Sequence, residues 1–106
     1  MKKLSKSFSA AVTETLVLLQ LKKNPSYGYE LQKKIEEATN GIVTRTAATL
    51  YPLLKKLEKM GWIKSDWEQP IIDRPKRIYT ITKAGIKEAE GQKEEWNTLL
   101  SIINKL

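Results

Sequence analysis

Arg45, Thr46, Thr49, Tyr51, Lys55 and Lys56 fall close together in the chain, and their side chains suit contact with a nucleic acid better than bond-making chemistry. The planar guanidinium of Arg45 matches the acceptor edge of guanine, while the Thr46 and Thr49 hydroxyls can donate to phosphate and their methyl groups can touch thymine. Lys55, Lys56 and the neighbouring Lys59 carry point charges suited to phosphate, and the Tyr51 hydroxyl could reach the same backbone. A second basic group, Arg74, Lys76 and Arg77, sits where a hairpin tip is expected and could follow an adjoining minor groove. Each group also has an ordinary reading. The first could be a solvated helix face, and charges on a hairpin commonly protect a sheet edge from aggregation.

The residues that are missing narrow the choice. Histidine and cysteine are absent, which removes zinc-finger and zincin metal sets, Cys/His nucleophiles and any disulfide framework. An enzyme would have only carboxylates to work with, so neither catalysis, nor a metal, nor a cofactor is expected. The chain has 106 residues, enough for one small domain. No apolar run approaches the roughly 18 residues of a membrane span, and the charged start, residues 1–6, lacks the apolar stretch of a signal peptide. No membrane partner is expected, and the cytoplasm of a bacterium is the expected location. The formal net charge is +7. Four lysines and four glutamates cancel over residues 83–106, so the surplus lies in residues 1–82 and favours a polyanionic partner.

The elements that must position these groups follow from periodicity. A first helix is expected over 8–23, with Val12, Leu16 and Leu19 at helical spacing and Val17, Leu18 and Leu21 widening the apolar stripe. Asn24-Pro25 ends it, and Ser26 is placed to cap a second helix over 29–39, in which Leu31 and Ile35 share a face. Asn40-Gly41 supplies a left-handed stop, and Ile42-Val43-Thr44 reads as extended. The third helix, about 46–60, turns Ala47, Leu50, Leu53, Leu54 and Leu57 inward and the basic, short-chained face outward. Pro52 inside it predicts a slight kink. Gly61 closes the helix, and two strands follow over 62–67 and 76–81, separated by a loop with two prolines. Trp62 and Trp67 stand at strand positions and read as wing packing. Thr82 caps a final helix over 83–104, where Ile86, Ala89, Lys93, Trp96, Leu100 and Ile103 form a heptad-like seam that Gly91 could bend or loosen.

Three helices, a hairpin and a last helix make a mainly α fold with a small β-hairpin, the α+β order of a winged helix-turn-helix with an N-terminal helix and a C-terminal dimerisation helix. The expected division is 1–82 for the winged helix-turn-helix and 83–106 for the dimerisation helix, in one compact unit. In that arrangement the second helix braces the third, and the third enters the major groove of double-stranded DNA.

Three ordered blocks carry a family resemblance: Tyr27 to Leu31, Ala48 to Gly61, and Arg77 to Gly85. They resemble the signature blocks of the PadR-like transcriptional regulators, over nearly the whole chain. With a single helix after the wing, the chain resembles the short, multidrug-responsive subfamily of that family (LmrR type). The resemblance implies that the last helix packs on the partner's first helix, and that a flat hydrophobic molecule slides between paired tryptophans. Trp96 matches that tryptophan, with Leu16, Gln20, Ala89, Gln92, Lys93 and Leu100 around it. Apart from the family, an indole in a helical seam simply fills a dimer interface. The loop 69–75 departs from the family pattern in having no glycine and two adjacent isoleucines. Leu100 takes a place where related pockets offer a polar group, so an effector would be held with fewer hydrogen bonds.

Trp96, Leu99, Leu100 and Ile103 form a stripe too apolar to leave in water, so a homodimer is expected. A two-fold dimer presents its third helices to successive major grooves about 34 Å apart, which calls for an inverted-repeat operator. The combined expectation is a dimeric, sequence-specific repressor with a flat aromatic effector. The alternative is a winged-helix module for protein partners without ligand sensing, docking through Ile71, Ile72 and the tail seam.

Overall fold

The computed structural model describes residues 4–68 and 75–106. Helix α1 (Lys6–Lys23) starts at Ser5, whose hydroxyl accepts the Phe8 N–H at 3.3 Å. Its fully buried apolar residues are Val17, Leu18 and Leu21, while Val12, Leu16 and Leu19 are half-buried at the margin of the core. Ser9, Thr13 and Thr15 are buried as well. Thr13 is satisfied by donating to the Ser9 carbonyl, the turn-back bond open to a hydroxyl within a helix.

Strand β1 (Ser26–Tyr27) follows and was not expected. It pairs antiparallel with β3 (Lys76–Ile81), Ser26 opposite Tyr79 and Tyr27 opposite Ile78. Helix α2 (Gly28–Ala38) therefore starts from a strand, and Ser26 does not cap it. The Ser26 hydroxyl is buried and accepts from Lys34 Nζ at 2.7 Å, while Glu30 accepts the Tyr27 N–H at 2.9 Å and secures the helix start. The stop at Asn40-Gly41 holds: both have positive φ, 52° and 78°. Residues 42–44 form no strand. The Thr39 hydroxyl accepts the Val43 N–H at 3.1 Å and folds the segment into a bend that drives Val43 into the core.

Helix α3 (Ala47–Lys59) is anchored by the Thr46 carbonyl, which accepts from the Thr49 and Leu50 N–H groups. Leu50, Leu54 and Leu57 are fully buried and Leu53 half-buried, but Ala47 is exposed because the first turn projects beyond the core. The helix runs unbroken through Pro52, near enough to its start that one missing donor is tolerated. At its end Gly61 takes φ 78°, and the Trp62 N–H closes onto the Leu57 carbonyl.

Strand β2 (Ile63–Glu68) pairs with β3 from Ile63 opposite Ile81 to Glu68 opposite Lys76, giving a three-stranded sheet in the order β1-β3-β2. Tyr79 of β3 is in the core. Burial raises its phenol pKa above the usual value, Glu58 adds to the rise, and Arg77 works against it, so the ring stays neutral.

Helix α4 (Lys83–Lys105) begins with the Thr82 hydroxyl accepting the Gly85 N–H at 3.0 Å and donating to the Gly61 carbonyl at 2.7 Å. Gly91 does not interrupt it. Ala89 is fully buried where α4 crosses α1, and beyond Trp96 the helix carries its apolar residues in the open. Among the described residues no helix is long and apolar enough to cross a membrane.

Candidate nucleic-acid interface

The core leaves one face of α3 outside. Thr46, Ala48, Thr49, Tyr51, Pro52, Lys55, Lys56 and Lys59 are exposed, and Arg45 is half-buried just before the helix. Burial of Leu50, Leu54 and Leu57 against Leu31 and Ile35 of α2 sets this orientation, since three leucines on one face send the intervening residues outward. The Thr49 hydroxyl donates to the Thr46 carbonyl at 2.9 Å and lies 3.3 Å from the Thr46 hydroxyl, so the two threonines form one polar step at the helix start. Arg45, Thr46 and Thr49 share a depression of about 550 Å³ with Lys6 of α1. Lys6 is a basic neighbour that periodicity could not assign, because it reaches this place through the fold.

Tyr51 is exposed but not free to swing inward. A Cβ at Gly28 would fall 2.7 Å from its hydroxyl oxygen, so only glycine there lets the ring lie on the first turn of α2. The phenol thus braces α2 against α3 at the edge of the exposed face.

The wing adds a different surface. The rings of Tyr27 and Tyr29 stack with centroids 5.8 Å apart and planes 3° from parallel, and Lys76 Nζ lies 5.5 and 5.8 Å from the two centroids. The Tyr27 hydroxyl bonds Glu68 across the strands, and this hydrogen bond is the leading cause of its raised pKa. Arg77 is held in place: Nε donates to Ser65 Oγ at 2.9 Å, and the guanidinium carbon lies 5.1 Å from the Trp67 ring centroid. Trp67 is 63% exposed, so it carries Arg77 on the surface and does not pack inside the wing. Arg74, with Ile71 and Ile72, lies outside the described residues. Lys56, expected at phosphate, has a protein partner: its Nζ is 3.1 Å from Glu14 Oε1.

The residues expected around an effector divide between two surfaces within one chain. Gln92 and Trp96 line an open groove of about 870 Å³ between α1 and α4, together with Glu14, Thr15 and Trp62. Trp62, which stands just before β2, therefore faces this groove. Leu16, Gln20 and Lys93 line a separate depression of about 400 Å³ where α1, α2 and α4 meet. The helix crossing that buries Ala89 separates the two, and Leu100 projects from α4 with 55% exposure. Glu14 and Thr15 were missed in the sequence because both stand within an apolar helical run, and their partners lie far along the chain.

The model of the "Transcriptional regulator PadR-like family" matches residues 17–91. Among solved structures, a transcriptional regulator from Clostridium thermocellum is 33% identical, with 97% of each chain covered and a TM-score of 0.87. A PadR family transcriptional regulator from Eggerthella lenta is 29% identical over 93% of this chain and 84% of that one, TM-score 0.83. A PadR family regulator from Clostridium difficile is 26% identical over 89% and 96%, TM-score 0.78. No curated protein matches the chain.

Proposed function

The chain belongs to the PadR-like family of transcriptional regulators, and from that membership we propose that it is a homodimeric repressor whose two α3 helices enter successive major grooves of an inverted-repeat operator. DNA-binding regulation of transcription is the work of the family, and the fold is that of a winged helix-turn-helix. The division of labour is a DNA-binding unit over 1–82 and a dimerisation helix over 83–106. The observation that carries this reading is the exposed face of α3, which aligns Thr46, Thr49, Lys55 and Lys56 on a helix braced from behind by buried leucines.

Binding to a duplex should weaken by about an order of magnitude or more between low and physiological salt, as several phosphate contacts per dimer would require. Replacing Lys55 and Lys56 by alanine should weaken binding to all sequences and flatten the salt dependence, whereas Arg45→Ala should chiefly blur base preference. Fluorescence anisotropy across a salt series reads all three. A flat salt curve, or the same loss of specificity from both sets of variants, would reject these roles.

As in the short, multidrug-responsive subfamily, the effector is a flat aromatic molecule held beside Trp96 where two subunits meet. The half-buried indole, with its N–H already bonded to Thr15, supports this: such a ring offers a π face and asks nothing polar of the ligand. Planar aromatic compounds should quench tryptophan fluorescence in the parent and do so far less in Trp96→Leu. Equal quenching in both would remove the stacking role. An effector acts only through a difference in affinity between DNA-competent and other arrangements.

A further inference from the structure

Lys56 and Trp96 stand at the two ends of one continuous row of hydrogen bonds that crosses three helices. The Trp96 indole N–H donates to Thr15 Oγ1 at 2.9 Å, and the Thr15 hydroxyl donates to Gln92 Oε1 at 2.6 Å. Gln92 Nε2 donates to Glu14 Oε2 at 2.8 Å, and Lys56 Nζ donates to Glu14 Oε1 at 3.1 Å. The direction of every bond is set by its ends. An indole can only donate, so the Thr15 proton turns to the Gln92 carbonyl, which leaves the amide NH2 facing Glu14. Glu14 therefore divides its two oxygens between a neutral donor on α4 and a cation on α3.

We infer that Glu14 is a latch on Lys56, holding its ammonium back from phosphate, and that Gln92 sets the strength of the latch. This rests on the DNA-binding reading and extends it to how that binding is regulated. The Glu14 side chain is only 22% exposed and is fixed on α1, whereas that of Lys56 is 61% exposed, so the lysine is the member free to leave. A phosphate approaching α3 competes with the carboxylate for the same charge. A surface ion pair of this kind is weak enough to be exchanged, so a neighbouring group can tip the balance. Gln92 is that group. While it donates to Glu14, part of the carboxylate charge is already satisfied. If Gln92 is drawn away, Lys56 is left as the main counter-charge and is held harder.

Glu14, Thr15, Gln92 and Trp96 all line the groove between α1 and α4. A molecule that stacks on the Trp96 ring and takes the Gln92 amide as its own hydrogen-bond partner thus tightens the latch and weakens DNA binding. The sign is that of an inducer.

Binding of a labelled mixed-sequence duplex at low salt tests this. Glu14→Gln should tighten binding about threefold or more and steepen the salt dependence, and Gln92→Leu should weaken binding by a similar factor. Both effects should vanish when Lys56 is replaced by methionine. In the DNA-free protein, the indole N–H resonance of Trp96 should move in Glu14→Gln. Effects that persist without Lys56, weaker binding by Glu14→Gln, or an unmoved indole signal each overturn the latch. A parent that binds with salt sensitivity while both variants leave binding unchanged overturns this inference alone. A parent that binds no duplex overturns the regulator reading and the latch together.

Discussion

Replacing Leu99, Leu100 and Ile103 together by glutamate is expected to leave a monomer and to lower affinity for an inverted-repeat operator by about two orders of magnitude or more. These residues are 47%, 55% and 53% exposed in the single chain and lie on the last turns of α4. Each of these aliphatic side chains gains roughly 1.5–3 kcal/mol when it is taken fully out of water. These residues keep about half of their surface in water, and burying the rest against the same stripe of a second copy favours the proposed self-association. Three carboxylates on the same turns would repel their counterparts in a partner. Without the dimer, the second half-site no longer benefits from the high local concentration set by the first. Light scattering reads the mass, anisotropy reads the affinity, and far-ultraviolet circular dichroism checks that the helix remains. A parent that is already monomeric, or a triple variant that stays dimeric, would sink the proposed assembly.

Gly85→Ala should destabilise the fold by about 3 kcal/mol, a loss of roughly 15 °C in Tm for a domain of this size. An added Cβ at Gly85 would stand 1.9 Å from the Trp62 carbonyl oxygen and 2.8 Å from its carbon. Those are backbone atoms, and they cannot turn aside as a side chain would. The same carbonyl accepts the Thr82 N–H at 3.0 Å, and the Thr82 hydroxyl reaches the Gly61 carbonyl, so the start of α4 sits directly on the link between α3 and β2. Moving α4 away to make room would break these bonds. Gly91→Ala is the internal control, because nothing lies within 4 Å of its would-be Cβ. There the exchange should stabilise the helix by about 0.5–1 kcal/mol. Thermal melting of the two variants should move in opposite directions. A Gly85→Ala protein melting beside the parent would refute the close approach.

How much of this was legible depended on how far apart the partners lie in the chain. The outward face of α3 could be read because Leu50, Leu54 and Leu57 define it within a single helix. The stops at Asn40-Gly41 and Gly61 and the cap at Thr82 are likewise local, and they stand where the residue types put them. Strand β1 was hidden because two residues carry no alternation, and Ser26 beside Pro25 has the look of a helix cap until Tyr79 is brought opposite it. The bend at 42–44 depends on the Thr39 hydroxyl, which competes with extended pairing in a way that β-propensity does not record. Glu14 was illegible as a partner of Lys56 for a similar reason. An acidic residue in an apolar helix gives no hint of which helix will cross it. Trp96 could be placed on the apolar face of the last helix, but its bond to Thr15 depends on how α4 lies over α1.

The pairing of β1 with β3 also governs the order in which the molecule can be completed during synthesis. Tyr27, the residue from which α2 departs, finds its strand partner in Ile78, so the mounting of the helix-turn-helix waits until the ribosome has delivered the chain through β3. Contacts so distant in sequence carry a loop-closure cost that slows folding. The nascent helices must therefore remain soluble through their own lysines and glutamates before the sheet locks them into their final angle.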